Sequence, residues 1–177
     1  MNQFKTLSLT VLFLIAALSP IEAQKTAFTV ADAIKVKSLS RQTLSDDGQY
    51  LAAIIQDASS RFEVDHFRFQ DPSYINVLPG ELVILNTDTG EQLKPYTTQA
   101  RVTSFSWAPN NTELAFLEQK GEKLHLMHYD VGRKRIREIK ISGDPLLVNA
   151  DLLWTPDGKS LILKTRESQW LPEAMKM

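Results

Sequence analysis

The sequence predicts an all-β fold, a partial β-propeller of about three four-stranded blades that follows a signal peptide and a short helix. Three observations predict it. A short apolar run ends in a tight polar turn and restarts as an apolar strand at Leu44-Ser45-Asp46-Asp47-Gly48-Gln49-Tyr50-Leu51, at Trp107-Ala108-Pro109-Asn110-Asn111-Thr112-Glu113-Leu114 and at Trp154-Thr155-Pro156-Asp157-Gly158-Lys159-Ser160-Leu161. A second turn marker recurs in step with it, as Asp88-Thr89-Gly90 and Asp130-Val131-Gly132. The spacing is nearly constant: Ala108 and Thr155 are 47 residues apart and Asp88 and Asp130 are 42 apart, close to the ~40–45 residues of a propeller blade.

Each element follows from its residues. Pro109 and Pro156 preset φ near −65°, the Asn or Asp after them bonds its own backbone, and Gly48, Asn111 and Gly158 supply a position that takes positive φ. The strands behind these turns, Leu51–Ile55, Leu114–Leu117 and Leu161–Leu163, are apolar without strict alternation, as expected of strands covered on both faces. The Asp-x-Gly sites follow the apolar runs Leu82–Leu85 and Leu124–Tyr129 and read as hairpin turns. The unit is therefore a four-stranded antiparallel meander, which is a propeller blade.

One interval breaks the period. Ser45 and Asp88 are 43 residues apart, whereas Ala108 and Asp130 are 22 apart, so the first blade carries 21 extra residues between about Asp57 and Gly80. This insertion interleaves charges with aromatics. Loops added to one repeat collect on a binding face, so Arg61, Glu63, Asp65, His66 and Arg68 are candidate substrate-binding residues. The competing reading is an elongated outer hairpin with Phe62, Val64, Phe67 and Phe69 packed down.

The chain is expected to divide into a signal peptide (1–23), a lead-in segment with a short helix (24–39), and an incomplete propeller (40–177). Its blades span about 40–100 with the insertion at 57–80, then 101–145, then a truncated 146–177. Lys5 precedes the apolar run Leu7–Leu18, and Ala23 stands before Gln24, the expected cleavage point. A twelve-residue stretch falls short of the ~20 needed to span a bilayer, so no stable membrane anchor is expected. Thr29 and Asp32 have capping-box spacing for a helix from Val30 to Lys37, leading to a strand at Arg41–Leu44. The leader makes the expected location exported, periplasmic or secreted, and the absence of cysteine removes a disulfide framework and a lipidated cysteine. Three blades are fewer than the typical 4–8 of a closed ring, so the chain reads as the N-terminal part of a longer protein.

Site chemistry is sparse. His125 and His128 sit three apart in a predicted strand, where their rings point to opposite sides, and read as structural or surface histidines and not as metal ligands. The sequence has no Gly-x-Ser-x-Gly elbow, Gly-rich phosphate loop or His-Glu-x-x-His, so catalytic, cofactor-binding and metal residues are all predicted to be none. The basic run Arg133–Lys140 straddles a hairpin and contains Ile136 and Ile139, which fits a solvated strand edge. With a net charge of −1, nothing in the charge pattern calls for nucleic acid.

Phe28-Thr29-Val30-Ala31-Asp32-Ala33-Ile34 followed by Leu44–Ala52 resembles the N-terminal approach to the propeller in prolyl oligopeptidase family serine peptidases. Ser106–Phe116 and Leu153–Leu161 resemble the Trp-Ser-Pro-Asp-Gly-Lys blades of those enzymes, which also occur in TolB-like periplasmic propellers. The peptidase resemblance implies a propeller that gates peptide substrates for an α/β-hydrolase domain. That domain would carry the Ser, Asp and His triad and is missing from this chain, which is therefore expected to be inactive alone. The TolB-like alternative implies a non-enzymatic propeller that binds a protein partner.

Overall fold

A computed structural model describes residues 27–65, 67, 75–143, 146–148 and 150–165. The signal-peptide region, with Ala23 and Gln24, lies outside the described residues. The chain divides into two units, 1–30 and 31–177. The short helix α1 (Val30–Lys35) buries none of its residues.

Among the described residues, the second unit is built from antiparallel strands in three sheets. Blade 1 has the order β1 (Lys37–Leu44), β2 (Tyr50–Asp57), β3 (Glu81–Asn86), β4 (Gln92–Leu93). Blade 2 repeats it with β5 (Val102–Trp107), β6 (Glu113–Lys120), β7 (Lys123–Asp130), β8 (Arg135–Ile139). In blade 3, β9 (Leu152–Trp154) pairs with β10 (Leu161–Leu163), and Leu146 bridges Thr165. These are consecutive meanders, the partial propeller expected from the repeat. The helix ends at Lys35 and not near Lys37, and β1 begins at Lys37, within the segment assigned to the lead-in.

The first turn of each blade is the same device. Gly48, Asn111 and Gly158 take φ of 75°, 60° and 67°. Their amides bond the carbonyls of Ser45, Ala108 and Thr155, each at 2.8 Å. Asp47, Asn110 and Asp157 accept from the backbone two residues on, at 3.0, 3.1 and 3.1 Å. Ser45 and Thr155 add a hydroxyl bond to the same acid, at 2.6 and 2.5 Å. These hydroxyls are the first cause that holds the Asp47 and Asp157 carboxyls below the usual range.

Blades stack through equivalent contacts. The first strands lie side by side, β1 next to β5 and β5 next to β9. Trp107 Nε1 donates to Thr43 O at 3.2 Å, and Trp154 Nε1 donates to Ser106 O at 3.1 Å, one blade later in each case. Arg41 and Ser104, both four residues before the turn, form bulges with φ of 50° and 53°, a distortion that increases local twist. One core joins blades 1 and 2 through Ile54, Leu82, Ile84, Leu114, Phe116 and Tyr129; another joins blades 2 and 3 through Ala115, Leu117, Leu126, Leu146 and Leu152. Full burial of a side chain such as Phe116 or Leu117 contributes roughly 1.5–3 kcal/mol. Both faces of β2 and β6 are covered as expected, but in β10 Ile162 is exposed.

Register refines the insertion. Tyr50 pairs with Asn86 and Glu113 with Asp130, so Asn86, and not Asp88, is the counterpart of Asp130. Both use a side-chain oxygen to accept from the amide three residues on, at 3.0 Å from Thr89 and 2.9 Å from Arg133. Tyr50 and Asn86 are 36 apart against 17 for Glu113 and Asp130, so the excess is 19 residues, not 21. It lies wholly in the β2–β3 connection.

Candidate functional site

A meander places its first and third turns at one end of the blade and its second at the other. The β2–β3 insertion and the β4–β5 connection therefore share an end, opposite the tight Asp-Gly turns. Asp57 begins the insertion by capping a 3₁₀ turn, Ala58–Glu63, where its carboxylate accepts from Ser60 N at 3.2 Å and its carbonyl from Ser60 Oγ at 2.8 Å. Ser59 Oγ also donates to that carboxylate and is the main cause of its lowered pKa. Ser60 is buried, which fixes the turn.

The returning limb, residues 75–80, is clamped by two glutamines and an arginine. Gln56 Nε2 donates to Leu78 O at 3.1 Å and Pro79 O at 3.3 Å. Gln119 Oε1 accepts from Val77 N and its Nε2 donates to Ile75 O, both at 2.9 Å. Gln56 and Gln119 occupy the same repeat position, near the end of strand two in successive blades. Arg101 Nη1 donates to Val77 O at 2.7 Å and its Nη2 pairs with Glu63 Oε2 at 2.9 Å. Gly80 and Ala100 close the limb with reciprocal backbone bonds of 3.0 and 2.8 Å. Side-chain donors and acceptors thus substitute for a strand ladder.

The clamp borders an open groove lined by Glu63, Glu81, Tyr96, Thr98, Gln99 and Arg101. Tyr96 Oη donates to Glu118 Oε2 at 2.6 Å, and burial, with that carboxylate beside it, pushes the phenol far above its ordinary value. Tyr96 therefore stays a neutral donor committed to Glu118. Lys94 pairs with Glu81 and lowers its pKa through that hydrogen bond first. Carboxylate, hydroxyl, amide and guanidinium groups along an open groove can pair with the backbone and termini of an extended chain. Among the described residues no three metal-ligating side chains cluster, and no helix is long and apolar enough to cross a membrane.

Of the candidate binding residues that are described, Glu63 is the one that lines this groove. Arg61 is exposed on the 3₁₀ turn, and Asp65 is exposed and accepts from Phe67 N at 3.0 Å. His66 and Arg68 lie outside the described residues. Where the competing reading places packed strand residues, residues 58–63 form a 3₁₀ turn, Phe62 and Phe67 are 75% and 100% exposed, Val64 is half-buried, and Phe69 lies outside the described residues. Sequence reasoning missed Arg101, Tyr96 and the two glutamines. The Gln56–Gln119 equivalence was available from the repeat offset, whereas Arg101 carries no local signal. His125 and His128 do point to opposite sides: His125 Nδ1 meets Glu138 Oε1 at 3.0 Å, while His128 is buried. β8 is the outer strand of blade 2 and carries Arg135 and Arg137 exposed.

The comparison with protein families gives no match, and neither does the comparison with curated proteins. Among solved structures the chain is similar to TolB from Acinetobacter baumannii, with 12% identity and a TM-score of 0.47, covering 73% of this chain and 27% of that one. It is also similar to the AtxE2 isopeptidase in its apo form, with 14% identity and a TM-score of 0.46, covering 71% and 21%. The chain spans about a quarter of the length of these structures. The fold assignment rests on the sheets themselves.

Proposed function

We propose that this chain is the propeller portion of an exported protein that binds an extended peptide segment across the face bearing the β2–β3 insertion. The observation that supports it is the clamp: Gln56, Gln119 and Arg101 hold the limb at residues 75–80 and keep Glu63 beside the groove. A surface loop fixed by this many side-chain bonds is a preorganised binding edge. In the finer reading, which rests on the sequence resemblance, the bound segment is a peptide substrate and a hydrolase domain elsewhere in the full-length protein cleaves it.

Binding is tested by fluorescence anisotropy with a fluorescein-labelled, mixed-sequence decapeptide pool. Saturable binding that weakens about tenfold in Arg101→Leu, as loss of a charge-assisted contact requires, supports the proposal. No saturable binding, or equal binding by the variant, overturns it. Fluorophosphonate labelling separates the finer reading from a non-enzymatic propeller: a labelled serine in the full-length protein supports the peptidase, and none rejects it. The 177-residue chain itself should remain unlabelled.

A further inference from the structure

Blade 2 departs from blade 1 at three positions that register makes equivalent. Ala52 pairs with Ile84, and Ile84 with Leu93; Ala115 pairs with His128, and His128 with Arg137. Tyr50 and Glu113 take matching places at the start of strand two. The trio Tyr50, Ile84 and Leu93 thus becomes Glu113, His128 and Arg137. In blade 1 this trio seals against blade 2: Ile84 and Leu93 are in the core, and Tyr50 stacks on Trp107 with ring centroids 5.9 Å apart. In blade 2 the same face meets blade 3, where Trp154 stands edge-on to His128 at 6.4 Å.

An apolar trio at this register position already serves one blade interface, so packing alone does not call for charged residues here. Stability therefore does not explain the polar trio. The geometry around it does point to a use. Arg137 Nε donates to His128 Nδ1 at 3.3 Å, which leaves the imidazole proton on Nε2. The His128 side chain is 4% exposed, and its Nε2 lies 3.1 Å from Glu113 Oε2 but out of line, with no hydrogen-bond partner among the described residues. The terminal nitrogens of Arg137 make no hydrogen bond or ion pair among the described residues, and neither does the side chain of Arg135, two positions along the same face. Arg133 is committed to Asp130 at 2.7 Å. Lys159, from the turn of blade 3, borders the adjoining part of the cleft with Trp154. The cleft carries the carboxylates of Glu113 and Asp130, the latter paired with Arg133, and Arg135, Arg137 and Lys159 leave it with a net excess of positive charge.

We infer that the cleft on the blade 2 face carrying Arg135 and Arg137, which adjoins blade 3 at Lys159, is an oxyanion site, taking a carboxylate or phosphate group on the guanidinium forks of Arg135 and Arg137. His128 is the positioning residue: its Nδ1 holds Arg137 by Nε and turns the terminal donors outward. Planar forks of this kind suit the paired oxygens of either group.

The test follows the imidazole resonances of the full chain during titration with inorganic phosphate and, separately, acetate, at constant pH and ionic strength. A saturable shift at His128 without one at His125, which lies on the opposite face with Glu138, supports the site. A response to phosphate alone assigns a phosphate-bearing ligand, and a response to acetate as well assigns carboxylates in general. Arg137→Leu and Arg135→Gln should each weaken binding about tenfold, as loss of a charged donor implies. The triple variant Glu113→Tyr/His128→Ile/Arg137→Leu restores the blade 1 residues, and it should keep or raise the urea midpoint while losing anion-dependent stabilisation. If Arg137→Leu fails to fold, Arg135→Gln on its exposed side chain carries the test. No saturable shift with either anion, or unchanged affinity in the Arg135→Gln variant, overturns the inference.

Discussion

Replacing Gly80 by Ala should destabilise the protein, because Gly80 is where the insertion rejoins the sheet against the core. A Cβ built there would lie 2.3 Å from Ile54 Cγ2, 2.8 Å from Gln56 Cγ and 3.1 Å from the Ile55 carbonyl oxygen. Carbon atoms prefer about 3.5–4.0 Å, so Ile54 would have to retreat by about 1 Å. Ile54 is 1% exposed and packed within the core between blades 1 and 2, and the Ile55 oxygen is backbone, so neither can yield freely. Overpacking of this kind costs about 1–3 kcal/mol, and the stiffer unfolded chain returns about 0.4–1 kcal/mol. The net loss expected is about 1–2 kcal/mol. Urea unfolding at 25 °C should show a lower midpoint with an unchanged slope, and the melting temperature should fall by about 4 °C. Ile54→Ala removes the clashing methyl, so Gly80→Ala should cost much less on that background, a coupling measurable by a double-mutant cycle. A Gly80→Ala protein at least as stable as wild type, or with the same penalty beside Ile54→Ala, would refute the reasoning.

Trp107→Phe keeps an aromatic ring against Tyr50 but loses the bond to Thr43 O; it should cost about 0.5–1.5 kcal/mol, read from the urea midpoint, and a neutral result would deny that the indole stitches the blades. Gly158→Ala meets open space except for Pro109 Cδ at 3.7 Å, so its loss of about 1 kcal/mol should come from the left-handed backbone alone, and Gly158→Asn should recover part of it. The Asp47 and Asp157 carboxyls are held below the usual range, first by the Ser45 and Thr155 hydroxyls. A depressed folded pKa contributes stability that is present above the unfolded value, about 3.9, and is lost as pH falls through the folded value. The urea midpoint should accordingly decline below about pH 4, less steeply in Asp47→Ala/Asp157→Ala, and an unchanged acid limb in that variant would contradict the assignment.

Legibility in the sequence followed the range of the interactions. The blade turns were readable because every determinant sits within five residues: a proline or serine, an Asx side chain and a residue that takes positive φ. Register was less so. Asn86 and Asp130 do the same work with different side chains, and the nearby Asp88 imitates the marker, which is why the insertion length came out two residues long. The 3₁₀ turn at Ala58–Glu63 hides behind a charge–aromatic alternation that looks strand-like, and it is the Asp57 cap and buried Ser60 that win. The groove was legible only at Glu63. Its other half depends on Arg101 and Gln119 reaching residues 24 and 44 positions away, and local pattern carries no trace of such pairings. The polar trio in blade 2 becomes visible only once register aligns it with an apolar one.

The stacking of equivalent blades is tested most directly by hydrogen exchange at the two tryptophan indoles. Trp107 and Trp154 each donate to a carbonyl of the preceding blade, at 3.2 and 3.1 Å. Their Nε1–H signals, assigned with the Trp107→Phe and Trp154→Phe variants, should survive transfer into deuterated water alongside the amides of β2 and β6. Exchange of both indoles within the dead time, while those amides stay protected, would show that the sheets form without being stitched and would contradict the account.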